Sequence, residues 1–134
     1  MTHGVIFDLL GKIRNGINPV PVLGDGNQRK PYLHVSQLVS VLVWHFSNKF
    51  PNQVFNIGPE STTSVREIVE LMRAWFDSNL EFSYGTTSYG WIGDVETYEY
   101  IGGKVLTSIV KDLGMEIFNS SRAIALTLEE LNLG

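Results

Sequence analysis

No cysteine occurs among the 134 residues, which excludes disulfides and thiolate-based zinc sites. No apolar run reaches the roughly 18 residues that a membrane span requires. The N-terminus shows no charged region leading into an apolar stretch and a small-residue cleavage site, so no secretory leader is read. The expectation is a soluble, cytoplasmic protein. Positive charge is also scarce: ten Lys and Arg against fourteen Asp and Glu leave a net charge of −4. The pI near 5.3 leaves no basic stripe of the kind nucleic acid needs. The three histidines, His3, His34 and His45, never fall at i, i+3 or i, i+4, so no metal site is expected. No Gly-x-Ser-x-Gly elbow of a serine hydrolase is present.

Hydrophobic residues make up 43% of the chain and charged residues 18%. That composition suits a packed core, and the length suits a single domain over 1–134. Val5, Ile6, Leu9, Leu10 and Ile13 mark one face of a helix over 5–15, which Gly16 and Pro19 end. A short strand is expected at Pro21–Leu23, a turn at Asp25-Gly26, and a second strand at Tyr32–Val35. Ser36 is read as the N-cap of a helix to about Asn48. The apolar positions of that helix, from Leu38 to Phe46, run almost all the way round, which predicts burial between layers.

Val54–Ile57 is read as a strand closed by Gly58-Pro59. Ser64-Val-Arg-Glu67 is a capping box that opens a helix to about Asp77. Leu80–Tyr84 alternates like a half-buried strand. Residues 85–103 form a Gly-rich aromatic loop, followed by a helix over Val105–Leu113 that Gly114 stops. A last helix is capped by Ser120 or Ser121, with Ile124, Leu128 and Leu131 inward. The fold class is mixed α/β: short strands with about five helices.

Two motifs look like chemistry and read better as structure. Tyr100 and Lys104 match a Tyr-x-x-x-Lys pair, in which an ammonium one helical turn from a phenol lowers its pKa. The adjacent Gly102 and Gly103 oppose a helix there, so no catalytic residue is assigned. Gly24-Asp-Gly26 lacks the third glycine and the Lys-Ser/Thr of a phosphate loop, and a tight turn is the better reading. The aromatic loop, with Trp91 at its centre, suits either a sugar or base pocket or simple packing.

Over most of its length the sequence resembles the substrate lobe of NAD-dependent nucleotide-sugar epimerases and dehydratases, the extended short-chain dehydrogenase/reductases. The resemblance is carried by Gly24-Asp-Gly-Asn-Gln28, Lys30-Pro-Tyr-Leu-His-Val35 with the helix after it, Val54-Phe-Asn-Ile-Gly58, the capped helix from Ser64, Gly90-Trp-Ile-Gly-Asp-Val95 and Leu113-Gly114. The Gly-rich dinucleotide loop and the catalytic segment that open those enzymes are not found in these residues.

The resemblance implies a set of ligand contacts. Lys30 stands where relatives offer an Arg to the substrate diphosphate; it keeps the charge but not the bidentate fork. Arg29 would supply that fork only if the strand twisted, because adjacent side chains face opposite ways. Tyr32, two residues on, is expected on the face of Lys30. Asp94 resembles the carboxylate that accepts from the ribose hydroxyls, and Trp91 joins the candidate substrate-binding set. Relatives' Arg before Gly-Trp is Tyr89 here, and their Asp-x-Ser-Lys pattern is Ile101-Gly-Gly-Lys104, so two polar anchors have no counterpart.

The implied function is a substrate-lobe fragment, truncated and not catalytic alone. The alternatives are a free-standing nucleotide-sugar module and a self-associating structural domain. No cofactor is expected in this chain; NAD is implied only for the complete family enzyme. The expected partner is a second copy, as a dimer or larger oligomer covering the apolar helix at 38–46. A nucleotide sugar and an NAD-binding domain in trans are the further partners that the resemblance allows.

Overall fold

The computed structural model describes residues 4–48, 56–100 and 104–132. It confirms the mixed α/β class, with five helices and short strands. Two compact units share the chain: the first holds the described parts of 1–30, 64–98 and 132–134, the second those of 31–63 and 99–131. Among the described residues no helix is long and apolar enough to cross a membrane.

The first unit starts with helix α1 (Val5–Arg14), which buries Leu9 and Leu10. Lys12 is bonded to Asp8 at 2.6 Å, one helical turn away, and also donates to the Pro21 carbonyl at 2.9 Å. That carbonyl belongs to strand β1 (Val20–Val22), so one ammonium ties the helix to the strand. β1 runs parallel to β4 (Phe82–Tyr84), with Val20 opposite Phe82 and Val22 opposite Tyr84. Val20 and Val22 are buried while Pro21 points outward, the period-two alternation of a one-sided strand. The strand lies one residue earlier than Pro21–Leu23, because the Leu23 carbonyl is taken by the Gln28 side chain instead of a ladder.

Helix α3 (Val65–Trp75) carries the expected capping box in full. The Glu67 N–H donates to Ser64 Oγ at 3.2 Å, and Glu67 Oε2 accepts the Ser64 N–H at 2.6 Å. Val65, Ile68, Val69 and Met72 are buried, the i, i+3, i+4, i+7 pattern of one face. The helix ends two residues before Asp77.

In the second unit the expected strand at Tyr32–Val35 is absent. The ladder stops with strand β2 (Arg29–Lys30), and Pro31 has no N–H to extend it. Helix α2 (Val35–Ser47) follows at once, and its N-cap is His34 and not Ser36. The His34 ring Nδ1 accepts the Ser36 N–H at 3.3 Å. The ring is buried, lies edge-on to Phe118 and brings Nε2 to 3.5 Å from the Glu130 carboxylate.

Buried Val41 joins Leu106, Ile109 and Val110 of helix α4 (Lys104–Asp112) in a core flanked by Leu33, Trp44, Ile57 and Met115. α2 is therefore buried on one side only; its other side is exposed, contrary to the expectation of burial all round. Val54 and Phe55 lie outside the described residues, and Asn56–Ile57 form no strand. Strand β3 (Thr63–Ser64) leads into α3.

Helix α5 (Ser120–Asn132) buries Ala123, Ile124 and Leu128. Its first-turn Arg122 N–H is capped by the Asn119 side chain at 2.8 Å, so Asn119 is the cap and Ser120 the first helical residue. Ser120, fully buried, gathers three chain segments. Its Oγ accepts from the Tyr32 N–H at 3.0 Å and the Thr63 hydroxyl at 2.7 Å, and its N–H donates to Ser61 Oγ at 2.8 Å.

Candidate functional site

The candidate site lies in the first unit, where the turn at 24–28 meets the loop at 85–97. Asp25 shapes the turn: its carboxylate accepts the Asn27 N–H at 2.8 Å and the Asn27 amide at 3.0 Å. These bonds, the backbone one first, hold its pKa below the ordinary carboxylate value. Two backbone bonds clamp the loop against the turn, from Asp25 N–H to the Thr87 carbonyl and from Gly85 N–H to the Gly24 carbonyl. Gly24 has φ +77°, and a Cβ there would lie 2.2 Å from the Gln28 amide nitrogen and 2.8 Å from the Tyr89 carbonyl. Only glycine lets the two segments close this tightly.

The contact continues into β2. Arg29 N–H donates to the Glu96 carbonyl at 2.8 Å, and Arg29 bridges to Thr97 in parallel. That register sets Lys30 beside Asp94, and the Lys30 ammonium is bonded to Asp94 Oδ1. The Gly90 N–H donates to the other carboxylate oxygen at 3.1 Å. The Asp94 side chain is 6% exposed and that of Lys30 28%. Burial pushes the Asp94 pKa up, but the Lys30 hydrogen bond, the Gly90 N–H and the Lys30 charge outweigh it and hold the carboxylate low. The pair is an ionised, oriented ammonium–carboxylate couple at the mouth of a loop.

The other sequence-predicted residues have partners of their own or lie on the surface. The Arg29 guanidinium is held at 3.0 Å by Glu67 Oε2, the same oxygen that caps α3, which commits Arg29 to the scaffold. The Ser64 N–H, chiefly, keeps Glu67 ionised by lowering its pKa. Trp91 is 63% exposed on the same loop as Asp94. Tyr32 falls in the second unit, outside the strand, with its N–H on Ser120. Tyr100 also belongs to the second unit, where its ring fills the space a Gly58 side chain would need.

Gln28 was not singled out by sequence reasoning. It is buried, donates to the Leu23 carbonyl at 3.0 Å, and leaves its Oε1 buried without a protein partner. A polar residue closing a Gly-x-Gly turn is the signal that would have found it. The second unit holds a separate open cavity of about 260 Å³, lined by Pro59, Glu60, Leu106, Thr107, Ile117 and Phe118, and none of the predicted site residues borders it.

Residues 1–58 match the model of the NAD dependent epimerase/dehydratase family. The UDP-glucose 4-epimerase of Thermotoga maritima, solved with UDP-glucose, is 25% identical with TM-score 0.69, over 97% of this chain and 40% of its own. The chain is similar to the NAD-dependent epimerases and dehydratases. The same fold recurs in the UDP-N-acetylglucosamine 4-epimerase of Methanobrevibacter ruminantium, at 18% identity and TM-score 0.74 over 97% of this chain and 38% of that one. It recurs again in the Bacillus cereus UDP-glucuronic acid 4-epimerase solved with UDP-glucuronic acid and NAD, at 13% identity and TM-score 0.66 over 96% and 40%. This chain spans about two fifths of the length of the epimerases it matches.

The residues described here do not fit the dinucleotide that the family implies. A pyrophosphate cradle needs a glycine-rich turn opening onto free N–H groups of a helix. The Gly24–Gly26 turn runs into a strand, and the Gln28 amide and Tyr89 carbonyl fill the space above Gly24. The first N–H groups of α3 are already taken: Val65 by the Gln28 carbonyl, Arg66 by the Gly26 carbonyl, Glu67 by Ser64 Oγ. No hydride step is therefore assigned to these residues.

Proposed function

We propose that this chain recognises the nucleoside diphosphate end of a nucleotide sugar and performs no redox chemistry by itself. The observation that carries this reading is the meeting of Lys30 with Asp94, 64 positions apart, beside the Gly90 N–H. On this reading the Lys30 ammonium, a compact point charge, meets the diphosphate. Asp94, kept ionised, accepts from the ribose hydroxyls and holds Lys30 in place. Exposed Trp91 stacks on the base or sugar from the loop above. The family match supports the ligand class, since the structures it resembles were solved with UDP-glucose or UDP-glucuronic acid. Hydride transfer falls to a dinucleotide-binding region of the kind the longer relatives contain, in the same polypeptide or in trans.

Calorimetric titration of the chain with UDP-glucose tests the proposal. Binding that persists with UDP and disappears with free glucose supports it. Silence up to millimolar UDP-glucose removes it, and so does turnover by this chain alone with added NAD.

A further inference from the structure

We infer that His34 is a proton-operated selector between two helices: uncharged it caps α2, and charged it gives up that cap and pairs with Glu130 of α5. All the groups involved lie in the second unit, and the inference does not depend on the ligand reading. The His34 ring is 5% exposed and takes no part in the candidate site. Its Nδ1 lies 3.3 Å from the Ser36 N–H and 2.8 Å from Ser36 Oγ. A backbone N–H only donates, so Nδ1 accepts, and in the uncharged ring the proton sits on Nε2. That N–H is buried without a hydrogen bond, since the Glu130 carboxylate at 3.5 Å does not complete one. The uncharged ring thus satisfies one nitrogen and strands the other, and a stranded buried donor is costly.

Adding a proton reverses that allocation. Nδ1 then carries a hydrogen and faces the Ser36 N–H donor to donor, while the Ser36 hydroxyl turns to accept from it. The Ser36 N–H, in the first turn of α2, loses the acceptor that capped it. On the other side of the ring, the Nε2 N–H becomes half of an imidazolium–carboxylate pair with Glu130. A helix cap and an ion pair whose carboxylate is 63% exposed are interactions of similar, modest size. The two arrangements therefore lie close in free energy, and the proton decides between them. The neighbours leave that choice to these groups. The ring meets the uncharged edge of Phe118, and Glu116, two residues earlier, is exposed. α2 contains no Asp, Glu, Lys or Arg, and its own His45 stands three turns further on. Among the described residues, Glu130 is the charged side chain of α5 that reaches the ring; Arg122 lies two turns back and Glu129 is not paired with it.

NMR of the ring nitrogens and the amides, from about pH 8 to about pH 5, tests the inference over the range in which imidazoles change charge. At the upper end the ring should show the Nε2–H tautomer. At the lower end both nitrogens should carry protons. The protection of the Ser36 amide against exchange should then fall by about fivefold, the loss of a helix cap, while the amides of α4 keep theirs. E130Q should move the midpoint of the ring's titration to lower pH by about half a pH unit, because the charged ring loses its carboxylate. H34N keeps an acceptor at the cap without a titrating ring, so Ser36 protection should stay level across the same range. An Nδ1–H tautomer at the upper end, unchanged Ser36 protection on acidification, or an unmoved midpoint in E130Q overturns the inference. A response that survives in H34N, or a loss of protection that extends through α4, overturns it too.

Discussion

The ammonium of Lys30 and the carboxylate of Asp94 are joined across 64 positions, while Arg29, the next residue back, is held by Glu67. Adjacent strand residues face opposite ways, and here each finds a carboxylate on its own side. The consequence is a division of labour. Arg29 locks the strand to the capped start of α3, and Lys30 ties the strand to the loop through Asp94.

Lys30→Ala should therefore weaken UDP-glucose binding by about tenfold or more, the loss of a charge-assisted hydrogen bond. Lys30→Arg should restore most of the affinity, since the charge is what the diphosphate requires. Arg29→Ala should lower thermal stability and leave affinity within about threefold if the fold is kept. Calorimetry with a melting curve separates the two residues.

The depressed pKa of Asp94 makes it a stabilising group above the ordinary carboxylate range. Its unfolded form titrates at the ordinary value and its folded form lower. The contribution is thus complete at neutral pH and is lost as pH falls below the ordinary value through the folded one. The urea midpoint should drop over that acid window, and Asp94→Asn should flatten this part of the curve while lowering stability at neutral pH.

Removing the cap of α3 by Ser64→Ala should cost about 1 kcal/mol. The Glu67 N–H loses its acceptor and Glu67 loses the hydroxyl it accepts from. Glu67→Gln should also release Arg29, and chemical denaturation at neutral pH reads both losses.

Ser120→Ala should cost about 2 kcal/mol, because it strands the Tyr32 N–H and the Thr63 hydroxyl in a buried site. Adding Thr63→Val removes one stranded group and should recover part of the loss. Equal stability for Ser120→Ala and the unaltered protein would show that the buried hydroxyl is not a hub.

What was legible in the sequence tracks how local the physics is. The Ser64–Glu67 capping box and the Asp25 turn read correctly because their partners lie within three residues. Helix α1 read correctly because a periodic stripe is a local property. The start of α2 misread because its cap is an imidazole, outside the usual Ser, Thr, Asp and Asn set. The strand at 32–35 misread because alternation cannot reveal that Pro31 ends the ladder. α2 misread as buried for a different reason: its composition signals a need for cover but carries no information on what supplies it. The Lys30–Asp94 pair spans too much chain for any pattern to find, and only the likeness to a known family brought the two residues forward together. Strand alternation put Tyr32 on the face of Lys30, but the strand ends at Lys30.

The central claim is that the loop at 85–97 and the end of β2 form a nucleoside diphosphate site, and amide NMR tests it residue by residue. Titrating UDP-glucose into isotope-labelled protein should shift Lys30, Gly90 and Asp94 first, the Gly90 N–H most, since it bonds the carboxylate that the ligand would engage. Lys30→Ala should abolish that pattern without disturbing the amides of α5. Shifts confined to other residues, or none at millimolar ligand, would contradict the account.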